Sequence, residues 1–437
     1  MSKVCPECKQ DKEYNQCKRW CKPCNSTRFK NDFDKWTSGN STIDKFIQDT
    51  QLNADYYKKI EWIPYDRFQE IKQIAKGGYG TIYYAKWVDG NIYGWDIENQ
   101  QWERFGKFEV VLKKFDGIVD INEDFLNEMT IHLNTNDGTT STAFFGITKD
   151  PETHEYMMVL GYYRGGSLRN YLNNNFNNID WGKKLEHLKD LASKLSEIHK
   201  LDIVHRDFHP GNILRYSWES NSTSLRITDF GLSKLITENI KHHQKNTISG
   251  VLPYIAPEVL TGGEYTKAAD VYSFAFVAYE IITGIPPYHD VSHDKELAFK
   301  ICNGFRPKIP FHTPKLITQI IMRCWDAHFT HRPCFYELFE ELDKYYKDYR
   351  KNKKNNNNEI TIQIKKTKEF SKNQTTTIPV NYKTHPQAIY TSRLLNFSNL
   401  PKPKNEENFE KKLEELTESF YQINANNDDD DLNTSNL

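Results

Sequence analysis

The fold of this chain is decided by the stretch His205-Arg206-Asp207-Phe208-His209-Pro210-Gly211-Asn212. Two further motifs follow it in order, Asp-Phe-Gly at residues 229–231 and Ala-Pro-Glu at residues 256–258. A carboxylate and a carboxamide five positions apart, with a second carboxylate downstream, supply the oxygen atoms that bind Mg²⁺ beside phosphate groups. One such motif can arise by chance, but three in this order rarely do. The pattern therefore indicates chemistry on a metal-bound phosphate.

The order of these motifs resembles that of eukaryotic protein kinases, and of their tyrosine-kinase-like group in particular. The resemblance covers residues 63–346 and implies an α+β fold with two lobes, a small β-rich one and a larger helical one. It also implies ATP and Mg²⁺ as cofactors and protein hydroxyl groups as phosphate acceptors. By the same resemblance, Asp207 accepts or orients the proton of the acceptor hydroxyl, and Asn212 and Asp229 are the magnesium ligands.

Residues upstream of the first motif match the family's nucleotide-binding lobe. The segment from Ala75 to Ile82 resembles the glycine-rich loop, whose glycines let the backbone approach the phosphates closely. Gly77 and Gly80 occupy glycine positions of that loop, and Ile82, which follows them, is also predicted to bind the nucleotide. Alanine at position 75 replaces the first glycine of the pattern.

Two more parts of the nucleotide site are predicted from the resemblance. Lys113 ends a run of aliphatic residues, like the lysine that binds the α- and β-phosphates, and Glu128 on the next predicted helix is its expected ion-pair partner. Lys114 should point to the opposite face of the strand. The carbonyl of Gly161 and the amide of Tyr163 are expected to bind the adenine edge.

The resemblance also assigns structural and regulatory residues to the larger lobe. Glu258 is expected to pair with Arg332, and Asp270 is expected to bind the backbone of the 205–212 loop. Thr247 and Ser249 are the candidate phosphorylation sites of the activation segment, where Arg206 would be the partner of the added phosphate.

The acceptor type and the activity itself each leave an alternative open. Serine/threonine kinases usually carry lysine where this chain has His209, and tyrosine kinases usually carry tryptophan before the Ala-Pro-Glu motif, where this chain has Tyr254-Ile255. We favour serine or threonine acceptors, with tyrosine possible. The alternative to catalysis is a pseudokinase scaffold. Such proteins typically lack the equivalent of Lys113, Asp207 or Asp229, and all three residues are present here.

Five of the eight cysteines lie in the first 24 positions. Cys5 and Cys8 form one CxxC pair, and Cys21 and Cys24 form a second, which is a spacing typical of a structural zinc site. Cys17 is a fifth candidate ligand. Reduced cysteines in an unfolded segment are the alternative. Nine Lys or Arg residues against five Asp or Glu in residues 1–35 give a weak basis for nucleic-acid binding.

The sequence predicts four regions: a cysteine-rich zinc module at 1–30, a helical linker at 31–62, the kinase-like domain at 63–346, and a low-complexity, largely disordered tail at 347–437. Within the tail, residues 360–364 alternate like a short strand and residues 406–420 carry a helical apolar stripe. The net charge of −1 and the lack of a long apolar run predict an intracellular, cytoplasmic protein that binds no membrane. The resemblance implies that it acts on protein substrates.

Overall fold

A computed structural model describes residues 4–10, 14–15, 20–77, 80–114, 123–216, 224–235, 248–351, 358–373 and 382–416. The described residues divide into two compact units. The first runs from the N terminus to Gly165 and includes Leu214–Gly231. The second contains Gly166–Ile213 and everything from Leu232 onward. The first is built on a β-sheet and the second is mainly helical, which confirms the predicted α+β fold with two lobes.

The strands within the described ranges are β1 Tyr14–Asn15, β2 Trp20–Cys21, β3 Glu61–Trp62, β4 Phe68–Gly77, β5 Gly80–Trp87, β6 Ile92–Asp96, β7 Gln101–Arg104, β8 Phe108–Lys114, β9 Phe144–Lys149, β10 Tyr156–Gly161, β11 Ile203–Val204, β12 Ile213–Tyr216, β13 Ser224–Ile227, β14 Lys234–Leu235, β15 Ile248–Gly250 and β16 Arg393–Leu395. The largest sheet has the order β3-β9-β10-β8-β5-β4. All its neighbours are antiparallel except β3 and β9, which are parallel.

The helices are α1 Lys22–Lys30, α2 Ser41–Leu52, α3 Glu123–Thr135, α4 Leu168–Asn175, α5 Trp181–Lys200, α6 Pro257–Leu260, α7 Lys267–Thr283, α8 Lys295–Cys302, α9 Lys315–Cys324, α10 Phe335–Lys351 and α11 Glu359–Asn373. Residues 409–416 are also helical. Among the helices that the structure describes, none is long and apolar enough to cross a membrane.

The two faces of the large sheet bury different sets of side chains because successive residues of a strand point to opposite faces. On β10, Met157 and Val159 join the cluster of Val110 and Leu112 on one face. Met158 and Leu160 join the cluster on the other face, which includes residues of α3. A strand that is apolar on both faces therefore lies in the middle of this unit, and β10 is buried along its whole length.

Helix α2, in the predicted helical linker, packs against α3. The side chain of Asn40 accepts hydrogen bonds from the amides of Thr42 and Ile43, which is a typical N-cap arrangement. Ile43 and Ile47 lie one turn apart, are fully buried, and join the same cluster as the α3 residue Met129. The side of α2 that carries Ile43 and Ile47 is thus a packing face of the first unit.

The cysteine-rich segment packs against the β6–β7 hairpin of the same unit. Trp102 of the hairpin stacks on Phe29 with ring centroids 4.5 Å apart and on Trp20 at 6.1 Å. The guanidinium of Arg28 lies 4.4 Å from the ring centroid of Trp95. These aromatic and cation–π contacts give a short segment with few core residues a place to bury them.

The second unit is organised around α7, a helix whose side chains are buried from Ala269 to Thr283. A helix that is apolar all round needs neighbours on every side, and α5 and α9 both pack against it. It ends at Gly284, which adopts a left-handed conformation with φ of 70°. A side chain at this position would also collide with the ring of Phe176.

The tail differs from its prediction in the described residues. Residues 360–364, predicted as a strand, belong to helix α11, where Ile360 and Ile364 are one turn apart and buried. The side chain of Asn358 accepts from the amide of Thr361 and caps the helix. Residues 382–416 are ordered against the second unit rather than disordered, with Phe409 at 3% exposure. Burial of these scattered apolar side chains offsets the polar composition that predicted disorder.

Candidate active site

Three charged side chains meet in the first unit. The Nζ atom of Lys113 lies 2.5 Å from Oε1 of Glu128 and 2.7 Å from Oδ1 of Asp229. Lys113 and Glu128 are buried, whereas the Asp229 side chain keeps 39% of its surface exposed. An ammonium group is thus held between two carboxylates, one of which remains open to solvent.

The sheet and α3 fix the orientation of this cluster. Lys113 lies on β8 opposite Ile82 of β5 and Met158 of β10, so strands on both sides hold its backbone. The next residue, Lys114, pairs instead with Glu155, as expected for a side chain on the opposite face of the strand. Glu128 comes from the buried face of α3.

The electrostatics keep Lys113 charged. Burial alone would lower the pKa of its ammonium group, but the nearby carboxylates of Asp229 and Glu128 outweigh burial and raise that pKa above its ordinary value. The lysine therefore carries a full positive charge at any physiological pH. A charged group positioned in this way is suited to binding phosphate oxygens.

The other predicted nucleotide contacts also lie in the first unit. Gly77 and Gly80 pair across the ends of β4 and β5, and residues 78–79 between them lie outside the described ranges. Gly80 has φ of 148°, which a residue with a side chain rarely adopts. Gly161 ends β10 and donates its amide to the carbonyl of Ala143, while the hydroxyl of Tyr163 accepts from the Ala143 amide.

A second set of polar side chains lies in the second unit, on the loop that follows β11. The Nδ2 atom of Asn212 donates to the backbone carbonyl of Asp207 at 3.0 Å and to its Oδ2 atom at 3.1 Å. Both residues are buried, at 8% and 6% exposure. Gly250 of β15 is so close that a side chain there would lie 3.3 Å from Oδ1 of Asp207.

Asp270, at the start of α7, anchors the backbone of the 205–212 loop. Its carboxylate accepts the amides of His205 and Arg206 at 2.8 and 3.0 Å, as predicted, and Nε2 of His199 lies 2.9 Å away. Burial alone would raise the pKa of Asp270, but the hydrogen bond from His199 and the amide of His205 hold it below its ordinary value. The anchor keeps Arg206 in a left-handed conformation with φ of 69°, a strained state that needs such support.

The predicted pair of Glu258 and Arg332 is confirmed. Nη1 and Nη2 of Arg332 donate to the two carboxylate oxygens at 2.7 and 2.8 Å. The guanidinium also donates to the carbonyls of Asp326 and Ala268. Because the arginine side chain is completely buried, these bonds fix the end of the activation segment to the helical unit.

The sequence did not predict the contacts that the tail makes beside Asp207. Ser392 donates its hydroxyl to Oδ2 of Asp207 at 2.5 Å, and Nε2 of His209 lies 3.4 Å from the same hydroxyl oxygen. Strand β16 of the tail pairs with β15 of the activation segment. Of the two candidate phosphorylation sites, Ser249 lies on β15 and Thr247 lies outside the described residues.

Asn212 and Asp229 offer the donor atoms that Mg²⁺ prefers. Asn212 directs its amide nitrogen to Asp207, so its carbonyl oxygen is the atom left for a cation. Asp229 offers carboxylate oxygens on a partly exposed side chain, and its backbone is held in a left-handed conformation with φ of 63°. Oxygen-only donors of this kind fit a hard cation.

The four cysteines of the two predicted pairs converge. The Sγ atoms of Cys5, Cys8, Cys21 and Cys24 all lie within 4.8 Å of one another. The Cys5–Cys24 separation is 3.9 Å and the Cys8–Cys21 separation is 3.6 Å. A tetrahedral zinc site with Zn–S bonds of about 2.3 Å has sulfur–sulfur edges of about 3.8 Å. Cys17, the fifth candidate, lies outside the described residues.

Comparison with known proteins places this arrangement in a family. The family described as protein tyrosine and serine/threonine kinase matches residues 68–342. The chain is 28% identical over 68% of its length to the probable serine/threonine-protein kinase gdt4 of Dictyostelium discoideum, and 30% identical over 72% to the putative serine/threonine-protein kinase/receptor R831 of Acanthamoeba polyphaga mimivirus. It is 28% identical over 63% of its length to the serine/threonine-protein kinase VIK of Arabidopsis thaliana.

These matches cover different shares of the relatives. The aligned part of the chain spans 17% of gdt4, 18% of R831 and 60% of VIK. The similarity therefore concerns one region of longer proteins, and it coincides with the residues that carry the motifs described above. This chain belongs to the protein tyrosine and serine/threonine kinase family.

Proposed function

We propose that this protein is an ATP-dependent protein kinase that transfers the γ-phosphoryl group to serine or threonine hydroxyls of protein substrates. The observation that carries this proposal is the contact of Lys113 with both Glu128 and Asp229, which lie 15 and 116 positions after it in the sequence. A pseudokinase scaffold would need neither this cluster nor Asp207. The family membership supports the same reading.

In this proposal each polar side chain has one task. Lys113 binds phosphate oxygens of ATP, and Glu128 holds its ammonium group in place. Asn212 and Asp229 provide oxygen ligands for Mg²⁺, which, when bound, neutralises charge on the phosphates during transfer. Asp207 accepts the proton that the attacking hydroxyl loses. Gly77 and Gly80 let the backbone approach the phosphates closely, and Gly161 and Tyr163 provide the backbone contacts for adenine.

The preference for serine or threonine rests on the relatives and on one residue of the loop. The relatives compared above are all named as serine/threonine kinases. His209 occupies the position two residues after Asp207, where its Nδ1 atom accepts from the amide of Gly211. Its Nε2 atom therefore carries the proton and can donate to an acceptor oxygen, as lysine does in serine/threonine kinases. Because its motifs resemble those of the tyrosine-kinase-like group, we also propose that the kinase belongs to that group.

Incubation with labelled ATP, Mg²⁺ and peptides that carry a single serine, threonine or tyrosine tests the function. We expect label on the serine and threonine peptides, identified by phosphoamino-acid analysis. Label on tyrosine alone would refute the acceptor preference. No transfer to any acceptor, with nucleotide still bound, would favour the pseudokinase alternative.

We also propose that Cys5, Cys8, Cys21 and Cys24 bind one structural zinc ion, because their sulfur separations approach the edges of a zinc–thiolate tetrahedron. Thiolates that remain free of disulfides fit a protein that acts inside the cell.

The purified protein should contain about one zinc ion per chain. Cys5→Ser should lose the metal, whereas the exposed Cys334→Ser control should keep it. Equal metal content in both variants would contradict the assignment.

A further inference from the structure

The tail segment of residues 382–395 lies along the second unit and has polar contacts over most of its length. The amide of His385 donates to the carbonyl of His289 at 2.8 Å, and the amide of His293 donates to the carbonyl of Gln387 at 3.0 Å. The hydroxyl of Tyr390 donates to the carbonyl of Pro287 at 2.8 Å. The segment is therefore held by specific hydrogen bonds rather than by loose apolar contact.

Two side chains place the segment next to the Asp207 loop. The ring of Tyr390 lies over the guanidinium of Arg169, 4.6 Å from the ring centroid, and makes an edge contact with His293. Three residues further on, Arg393 donates to the carbonyl of His293 at 2.6 Å. These anchors flank Ser392 on both sides and limit its possible positions.

Backbone pairing then aligns the segment with the activation segment. In the antiparallel pair of β15 and β16, Gly250 opposes Arg393 and Ile248 opposes Leu395. Leu395 is buried, at 6% exposure. An extended peptide that adds a strand to an existing edge and places alternate side chains in pockets is a common mode of peptide recognition. The segment and β15 form a two-stranded antiparallel sheet of their own, so the segment pairs with the activation segment as an extended peptide pairs with a strand of its receptor.

The hydroxyl of Ser392 has the contacts that an acceptor hydroxyl needs. It donates to Oδ2 of Asp207 at 2.5 Å, and it lies within reach of the proton on Nε2 of His209. Its neighbour Thr391 is exposed, so only one of the two adjacent hydroxyls reaches the carboxylate. The Asp207 carboxylate is itself buried, which strengthens the hydrogen bond.

We propose that the tail segment is a tethered substrate and that Ser392 is phosphorylated in cis by the chain's own active site. The proposal rests on the protein-kinase function proposed above and names one of its substrates. While docked, the segment also occupies the place where the acceptor peptide of another protein would bind.

The transfer step requires only ATP as a co-reactant. The Ser392 oxygen forms a bond to the γ-phosphorus while the bond from that phosphorus to the bridging oxygen breaks, which releases ADP. The hydroxyl proton passes to the Asp207 carboxylate and then to solvent. The product places a phosphate of charge about −2 beside Asp207, and repulsion between the two anions favours release of the segment. Phosphorylation of Ser392 would therefore open the site to other substrates.

The test uses the full-length chain after phosphatase treatment, with ATP and Mg²⁺, and mass spectrometry to follow residue 392. We expect phosphate on Ser392, at an initial rate per enzyme that stays constant over a dilution of about 100-fold, because the tether supplies a local concentration of about millimolar. Ser392→Ala should abolish this phosphate, and the matched control Thr391→Ala should retain it. A rate per enzyme that falls in proportion to dilution would show transfer between molecules and overturn the proposal.

A second variant separates docking from chemistry. Leu395→Asp should weaken the strand pairing and slow the phosphorylation of Ser392. In a Ser392→Ala background, where phosphorylation cannot release the segment, Leu395→Asp should lower the KM for an added serine peptide by about threefold or more, with kcat unchanged. If the added peptide is phosphorylated while Ser392 is not, or if Leu395→Asp changes neither quantity, the tethered-substrate proposal is wrong and the kinase function stands. If neither the peptide nor Ser392 is phosphorylated, the kinase function itself fails.

Discussion

Replacing Asp207 with asparagine is expected to reduce kcat for peptide phosphorylation by about 10²- to 10⁴-fold, or about 3–5 kcal/mol in the activation barrier. The Asp207 carboxylate already accepts a hydrogen bond from a serine hydroxyl at 2.5 Å. Asparagine can accept the same hydrogen bond, but its amide cannot take up the proton at neutral pH. The KM for ATP should change little, because the phosphate contacts are assigned to other residues. Steady-state kinetics with peptide and ATP varied in turn measure both quantities.

The control for this variant is Asp202→Asn, five residues earlier in the chain. Asp202 pairs at the surface with Lys267 and has no contact with the predicted site residues among the described hydrogen bonds. It should retain full kcat. Thermal melting of both variants checks that the fold is preserved, and a loss below about threefold in Asp207→Asn would remove the proposed role of this carboxylate.

The sequence predicted the long-range pairs of the helical unit because the family motifs carry them. Glu258 and Arg332 lie 74 positions apart, and nothing in local periodicity connects them. The same is true of Asp270 and the amides of the loop, 64 and 65 positions away. Family motifs have known spatial partners, so a resemblance to the family predicts long-range contacts. Composition and hydrophobic spacing cannot predict them.

The contacts of the tail could not be predicted from the sequence. Its asparagine- and lysine-rich composition indicates disorder, since few apolar residues are available to offset the entropy of ordering. The contacts that order residues 382–395 involve His289, His293 and Arg169, all of which lie about 100 positions or more before their partners. No family motif covers the tail, so its partners could be found only in the folded chain.

The other difference between prediction and structure concerns residues 360–364, which were predicted as a strand and are helical. Ile360, Ile362 and Ile364 alternate as in a strand, yet the first and third are also one helical turn apart. Ile360 and Ile364 are buried on one face of α11. The side chain of Gln363 accepts a hydrogen bond from the amide of Leu316, which fixes the helix against the start of α9. Tertiary contact, rather than local pattern, decides between the two structures.

Replacing Arg332 with methionine is expected to lower the free energy of unfolding of the helical unit by about 3–5 kcal/mol. Methionine preserves most of the volume of the buried stem but removes every donor. The carboxylate of Glu258 and the carbonyls of Asp326 and Ala268 then lose their partners in a buried setting. Urea denaturation, followed by the tryptophan fluorescence of this unit, measures the change.

Two comparison variants separate the loss of the ion pair from a general loss of packing. Arg332→Lys keeps the charge but cannot form the two parallel bonds to Glu258, so it should recover only part of the stability. The double variant Arg332→Met with Glu258→Leu should be more stable than Arg332→Met alone, because no buried carboxylate is left without a partner. Lys267→Met, which removes a surface pair with Asp202, should have a much smaller effect. Equal losses of unfolding free energy in Arg332→Met and Lys267→Met would show that the Arg332–Glu258 pair does not stabilise the unit.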